Sequence, residues 1–385
     1  MTNKILFCKK ILNGLMSRNK MKIIKTLPFI LLLFVNAQSC KSPTAPESLQ
    51  PGRRDYVWEL DTLNMPMNYL GAVWGAVPND VWAVGAGGTY NDRLQHYDGK
   101  KWSAYNKEAI LCTGNTLYGF SENNVWMGGG DELSNGAAIW HYDGNKWTRN
   151  YIYHVSGEYS TEVTDMWGLA PNNIFACGTI NYGGSYPGGL SDSLQGFVLH
   201  YNGTAWMEVV KGNMNYQFLT IRSEYNFPNS FFNIGYKSYI LSYKLSNVSS
   251  DSSIFAIYEL DENRLQKIYL NTRGEITLAS INVINGVVNF FIKNNFYNYK
   301  NNVFVRQFSI ENPNIEYEFC GRNTNDIFFC MYDGIFHYNG SDFSYLYKNI
   351  FLGNALSSIL IGSEVFFAIY NGRTNKNMVL HGKLK

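Results

Sequence analysis

Trp74-Gly75-Ala76-Val77-Pro78-Asn79-Asp80-Val81-Trp82-Ala83-Val84-Gly85, leading to His96-Tyr97-Asp98-Gly99-Lys100-Lys101-Trp102, is the stretch that decides the fold, because it recurs. Tyr118-Gly119-Phe120-Ser121-Glu122-Asn123-Asn124-Val125-Trp126-Met127-Gly128 leads to His141-Tyr142-Asp143-Gly144-Asn145-Lys146-Trp147. Trp167-Gly168-Leu169-Ala170-Pro171-Asn172-Asn173-Ile174-Phe175-Ala176-Cys177-Gly178 leads to His200-Tyr201-Asn202-Gly203-Thr204-Ala205-Trp206. Four weaker copies follow. Their first halves lie at Phe227–Gly235, Ile284–Phe291, Thr324–Cys330 and Gly362–Ala368, and their second halves at Ile257–Leu260, Phe296–Tyr299, His337–Phe343 and Val379–Gly382.

Each unit reads as four strands. Strand a ends at a Pro-Asn or Asn-Asn turn, strand b is of the Val-Trp-Ala-Val type, strand c ends in His-Tyr, and strand d starts near the Trp. Asp98-Gly99, Asp143-Gly144, Asn202-Gly203 and Asn339-Gly340 read as two-residue hairpin turns with positive φ at both positions. The second halves recur every 39 to 59 residues or so, a period that suits four-stranded sheets repeated radially. The expected fold is all-β: a seven-bladed β-propeller of four-stranded blades. The seventh unit lacks a strand d, and Tyr56-Val57-Trp58-Glu59-Leu60 looks like a lone one, with Trp58 in the part of Trp102. The N-terminal strand is therefore expected to close the C-terminal blade and remove an open sheet edge. Later blades are expected to use other aromatics, with Phe328 for Trp82 and Phe343 for Trp102.

Composition agrees. Aromatic residues reach 16% and charged residues 16%, with 35 Gly, which suits half-buried pleated surfaces joined by tight turns. The formal charge of +2 is carried by the N-terminus, where residues 1–40 hold seven Lys or Arg and no acid. Without them the chain has 25 basic and 30 acidic residues, so the basic footprint of a nucleic-acid binder is missing.

Met21-Lys22-Ile23-Ile24-Lys25, then the apolar Leu27–Val35, then Asn36-Ala37-Gln38-Ser39-Cys40, is the order of a secretory signal. The apolar run is shorter than the roughly 20 residues a spanning helix needs. Ala37-Gln38-Ser39-Cys40 resembles a bacterial lipobox, with Ala where Leu is usual, which makes Cys40 the expected lipid acceptor. Cleavage after Ala37 to release an ordinary secreted protein is the alternative. Residues 1–39 are read as the signal segment, with Met21 as an alternative start, residues 40–54 as the lipidated Cys and a Pro-containing tether, and residues 55–385 as the propeller. Lys41 after the Cys favours the outer membrane, by resemblance to Gram-negative sorting rules.

The repeat resembles kelch-like propeller repeats, with Gly clusters after strand b (Gly85-Ala86-Gly87-Gly88 and Gly128-Gly129-Gly130) and Tyr-Asp before a Trp. It also resembles the Asp-box repeats of sialidase-type propellers, although Asp and Gly are adjacent here. Over residues 55–385 the chain resembles a loose group of bacterial exported propeller lipoproteins. That resemblance implies the fold and an envelope location, not a chemistry.

No catalytic residue, metal site or cofactor is expected. His-Tyr-Asp-Gly recurs blade by blade, so ring symmetry holds its copies apart and the motif reads as structural. Cys112, Cys177, Cys320 and Cys330 form no Cys-x-x-Cys pair. Cys320 and Cys330 fall on neighbouring strands, where an exported compartment permits a disulfide; buried unpaired thiols are the plainer reading. No Walker loop, His-Glu-x-x-His or EF-hand spacing is present.

The informative variation lies in the b–c and d–a connections, which share one face. Arg149–Thr164 is read as a d–a loop, and Ile180–Gly196 and Ser238–Ser253 as b–c loops. Tyr151, Tyr153, Tyr159, Tyr182 and Tyr186 are the expected ligand contacts, since function sits on loops over a rigid scaffold. The expected function is a non-enzymatic binding or scaffold module that contacts a protein or glycan at that face, with membrane contact through the lipid. An envelope assembly factor and a glycan-active enzyme are the alternatives. Acids or Arg converging in a deep central pocket would favour the enzyme; a shallow Tyr-lined face would favour binding.

Overall fold

The computed structural model describes residues 50–385 except 66–68, 87–91, 184–192, 227–234, 245–253, 262, 272–278, 351 and 352. The signal segment, Cys40 and Tyr186 lie outside the described residues. Strand β1 (Tyr56–Leu63) precedes the first unit, β2 (Tyr69–Val77), β3 (Asp80–Ala86), β4 (Leu94–Tyr97) and β5 (Trp102–Ala104). The second is β6 (Cys112–Ser121), β7 (Asn124–Asp131), β8 (Ala137–Tyr142) and β9 (Trp147–Tyr153), and the third β10 (Ser160–Ala170), β11 (Asn173–Asn181), β12 (Leu194–Tyr201) and β13 (Trp206–Met214). The fourth is β14 (Gln217–Asn226), β15 (Gly235–Lys244), β16 (Ile254–Asp261) and β17 (Arg264–Leu270), and the fifth β18 (Ala279–Ile284), β19 (Val287–Ile292), β20 (Asn295–Lys300) and β21 (Val303–Ser309). The sixth is β22 (Ile315–Asn323), β23 (Asp326–Met331), β24 (Gly334–Tyr338) and β25 (Phe343–Lys348), and β26 (Asn354–Ile361), β27 (Glu364–Asn371) and β28 (Lys376–Leu384) begin the seventh.

Each unit is an antiparallel four-stranded blade, and a single pairing of Glu162 with Gly130 bridges the second and third. The seventh blade is completed by β1, which pairs with β28 from Tyr56↔Leu384 to Leu63↔Asn377. Trp58 stands opposite Gly382, the place that Trp102 takes opposite Tyr97. The innermost strands touch in a closed circle, β2 to β6, β10, β14, β18, β22, β26 and back to β2. Seven apolar clusters fill the spaces between neighbouring blades. No blade buries its own face alone, so the ring is the folding unit.

The repeated motif explains this stacking. His96, His141, His200, His337 and His381 each place Nε2 against the first residue of strand b: Asp80, Asn124 (2.9 Å), Asn173 (2.8 Å), Asp326 (2.7 Å) and Glu364 (2.6 Å). Each imidazole also packs on the aromatic two residues further on, at centroid distances of 4.3 Å for Trp82, 4.3 Å for Trp126, 4.5 Å for Phe175, 4.7 Å for Phe328 and 4.0 Å for Phe366. The His-Tyr motif is a sheet-internal clamp that ties strand c to strand b.

The Asp-Gly turns differ from expectation. Only the Gly has positive φ, +86° at Gly99 and +90° at Gly144, and four residues separate the strands. Asp98 Oδ1 accepts from the amides of Lys100 and Lys101, both at 2.9 Å, so the side chain does the work of a second turn residue. True two-residue turns with both φ positive occur instead in the fifth blade, at Asn285-Gly286, Lys293-Asn294 and Asn301-Asn302. The glycines of Gly128-Gly129-Gly130 lie within β7 rather than after it. A Cβ at Gly129 would sit 1.8 Å from the Thr113 carbonyl oxygen, so close strand approach requires Gly there.

The loop boundaries also need correction. Arg149–Tyr153 belongs to β9 and Ser160–Thr164 to β10, leaving a d–a connection of 154–159. Ser238–Lys244 belongs to β15, where buried Ser238, Tyr239, Ile240, Leu241 and Ser242 form a core strand. Apolar alternation carried these strands further than the loop-like composition suggested. The four described cysteines are free and buried. Cys320 stands opposite Phe328 rather than Cys330, which explains the absence of a bond.

Candidate functional site: the upper face and the central channel

The face bearing the b–c and d–a connections is called upper here, and the face bearing the a–b and c–d turns lower. On the upper face a groove of about 430 Å³ lies between the second and third blades, lined by Thr113, Asp131, Glu132, Asn135, Thr161 and Glu162 among others. Its acids are held by neighbours. Arg149 and the Ser134 hydroxyl donate to Asp131, at 3.1 and 2.7 Å, Arg93 pairs with Glu132, and Asn115 Nδ2 donates to Glu162 at 3.0 Å.

Of the expected contacts, Tyr159 is exposed at 69% and lies beside Gly183. Tyr182 is half-buried and donates to Gln195 Oε1 at 3.0 Å. Tyr151 is half-buried at the edge of the core between the second and third blades. Tyr153 is a core residue rather than a surface contact: its ring packs 4.7 Å from Phe197 and its hydroxyl donates to Glu208 at 2.5 Å. Strand β9 runs on through it and turns it inward. Further exposed apolar side chains on the upper face are Leu133 (64%), Ile350 (64%) and Tyr332.

The channel at the ring centre has a volume of about 710 Å³. Six of the seven innermost strands carry a register irregularity near the same level, as between Leu70 and Ala72 or Val163 and Asp165. Just past it stand Thr116, Asp165, Thr220, Glu318 and Ser357, polar side chains in otherwise apolar strands. With neighbours on the same strands they form a closed hydrogen-bonded belt. Tyr69 donates to Asn115 (3.0 Å), Thr116 to Asp165 (3.3 Å), and Arg222 pairs with Asp165 and donates from Nε to Asn282 (3.2 Å). Asn282 Nδ2 donates to the Phe319 carbonyl (2.7 Å), Ser358 to Glu318 (2.6 Å), and the Val73 amide to the Ser357 hydroxyl (3.3 Å). Every junction between blades is crossed at least once.

Sequence reading missed the belt, although a signal existed. Asp165 stands three residues before Gly168, as Thr116 does before Gly119 and Ala72 before Gly75. A carboxylate at an aligned, apolar-flanked position marks a buried ion pair.

Burial pushes the carboxyls of Glu316 and Glu318 up to about 7. Burial lowers the imidazoles of His141 and His200, which face neutral Asn side chains. The folded chain therefore retains carboxyl protons that the unfolded chain has released, and stability is expected to rise as pH falls from about 8 through 7. Below roughly pH 6.5 the two histidines, protonated more readily unfolded, oppose that gain. Thermal melts across this range should show the maximum, and a Glu316→Gln/Glu318→Gln chain should lose the rise between about 8 and 7. A wild-type melting temperature that only climbs with pH would contradict these protonation states.

No protein-family model matches the chain, and no curated protein matches it by sequence. Solved structures do match. YCF48 bound to D1 peptide aligns at TM-score 0.54 and 13% identity, over 88% of this chain and 100% of that one. The β-propeller domain of the Trilobed protease from Pyrococcus furiosus aligns at 0.46 and 8%, over 82% and 97%. BamB from Moraxella catarrhalis aligns at 0.43 and 11%, over 89% and 93%. The fold is a β-propeller. At these identities the likeness extends to architecture alone, and the chemistry rests on this chain's own side chains.

Proposed function

We propose that this chain is an exported, lipid-tethered binding propeller whose upper face takes a protein partner. The observation that carries the reading is the set of exposed apolar side chains, Tyr159, Leu133, Tyr332 and Ile350, on the face with the groove. Aliphatic and aromatic groups left in water beside polar rims suit a protein surface. Leu and Ile give a sugar little to stack on, which favours protein over glycan. The similar fold of YCF48 bound to D1 peptide is consistent with a peptide guest on such a scaffold.

Gly52 is held on the face opposite the groove. The Gly52 amide donates to the carbonyls of Asn325 (2.8 Å) and Asn339 (3.2 Å), both in lower-face turns of the sixth blade. A protein-binding upper face would serve an envelope assembly factor as well.

The glycan-active reading finds part of what it needs in the channel, where Asp165, Glu318 and Arg222 converge. Glycoside hydrolysis uses two carboxyls about the scissile bond. Asp165 is engaged by Arg222, Thr116 and the Ile221 amide, which leaves Glu318 alone and favours binding over catalysis.

The test is a crosslinking pull-down from envelope fractions with the intact chain and with a Leu133→Ser/Tyr159→Ala/Ile350→Ser chain. The expected result is a discrete protein partner lost at least tenfold in the variant, with unchanged melting. Equal capture by both chains would overturn the face assignment. A Cys40→Ser chain is expected to leave the membrane fraction, and one that stays would overturn the anchor.

A further inference from the structure

Among the described residues, the charged side chains lining the channel are Asp165, Arg222 and Glu318. Asp165 and Arg222 neutralise each other through their ion pair, which the Ile221 amide (3.0 Å) and Asn282 (3.2 Å) also hold. Glu318 is left over. Its carboxylate is bonded to a neutral partner, the Ser358 hydroxyl at 2.6 Å, and the residue is half-buried, in contact with the channel space. The rest of the wall mixes neutral polar side chains, such as Thr116, Thr220 and Asn282, with aromatic and aliphatic ones, such as Trp74, Trp167 and Leu356.

A carboxylate partly withdrawn from water and bonded only to a neutral group is an unbalanced charge. A guest that brings a positive group on a short aliphatic stem would balance it, while an aromatic wall adds attraction for the cation. We propose that the channel is a binding site for an organic cation, an amine or guanidinium on an unbranched stem, with Glu318 as its counter-ion. The guest is either a free small amine or a Lys or Arg side chain of a bound protein. The inference does not depend on which partner the upper face takes.

The charged and titratable groups around Glu318 are Arg222 and Asp165 across the channel, Glu316 and Cys320 on its own strand, and Cys330 on the neighbouring strand. The cysteines are held as thiols by burial. Burial pushes Glu318 up to about 7, so a cation competes with a proton there, and binding strengthens as pH rises from about 6 to 8.

The experiment titrates the whole protein with agmatine and reads the fluorescence of the channel tryptophans. A saturable change is expected at pH 8, at least tenfold weaker at pH 6. The Glu318→Gln chain, which keeps a partner for Ser358, should bind at least tenfold more weakly at pH 8 and show no pH dependence. A Glu122→Gln chain, altered in an exposed lower-face turn, should bind as the wild type does. Butanol, which carries a stem without the charge, should not bind. Displacement of agmatine by a lysine peptide but not by its acetylated form assigns the site to a side chain; failure of both peptides assigns it to free amines. Should Glu318→Gln fold poorly, carbon NMR of the wild-type Glu318 carboxyl decides, since agmatine must lower its pKa. Absence of saturation, unweakened binding by Glu318→Gln, or an unmoved Glu318 titration would overturn the proposal.

Discussion

A chain lacking residues 55–63 is expected to lose cooperative folding altogether. Strand β1 supplies the fourth strand of the seventh blade, and its removal leaves the whole of β28 as an unpaired edge. Tyr56 and Leu63 are buried on opposite sides of that blade, Tyr56 against the sixth blade and Leu63 against the first. Tyr56 meets Phe328 edge-on at 5.5 Å and its hydroxyl accepts from Arg322 at 2.9 Å. Trp58 lies between Tyr347 and Phe367, with its ring over Gly382. Burial of Tyr56 and Leu63 alone contributes about 1.5–3 kcal/mol each, a large part of the roughly 5–15 kcal/mol that keeps a protein folded. Urea titration followed by near-ultraviolet circular dichroism should show a broad, non-cooperative loss of signal. A synthetic peptide of residues 52–65 added in excess should restore the transition by mass action. A truncated chain that unfolds cooperatively at the wild-type midpoint would show that the closing strand is dispensable.

Replacement of Arg222 by Ala is expected to have the largest effect of any single change in the belt. It leaves the Asp165 carboxylate inside the ring with the Ile221 amide and the Thr116 hydroxyl but no cation. Burial already pushes this carboxyl up, against the downward pull of Arg222. Breaking a buried pair from one side costs about 3–5 kcal/mol. The cation–aromatic contact of Arg222 with Trp167, at 5.0 Å, and the hydrogen bond to Asn282 go with it. Equilibrium unfolding should show that loss, and Asp165→Asn in the Arg222→Ala background should recover part of it, because the orphaned charge is then gone. The recovery separates a charge effect from mere loss of packing. A loss below about 1 kcal/mol would mean that solvent in the channel already screens the pair.

How much could be read beforehand differs by feature. Blade number, strand order and the closing strand were legible because each blade repeats one hydrophobic and turn grammar, and the fourth strand of the seventh blade was missing from its place and present at the other end of the chain. The structural character of His-Tyr followed from its repetition. The exact turn at Asp98-Gly99 was not legible, since an Asp side chain can replace a backbone turn residue. Nor were the loop limits: Tyr153 sits in polar-looking sequence, yet its ring goes to Phe197 and its hydroxyl to Glu208 on the next blade.

The sequence by itself determined the architecture, because alternation along a strand and Gly or Asn at a turn are local choices that each unit makes alone. Only the tertiary structure decided the channel. Thr116, Asp165, Arg222, Asn282 and Glu318 lie on five blades spread over two hundred residues, and nothing local says which will face which. The ring settles it by bringing seven innermost strands to one axis, where one carboxylate finds its arginine and another, Glu318, is left facing the open space.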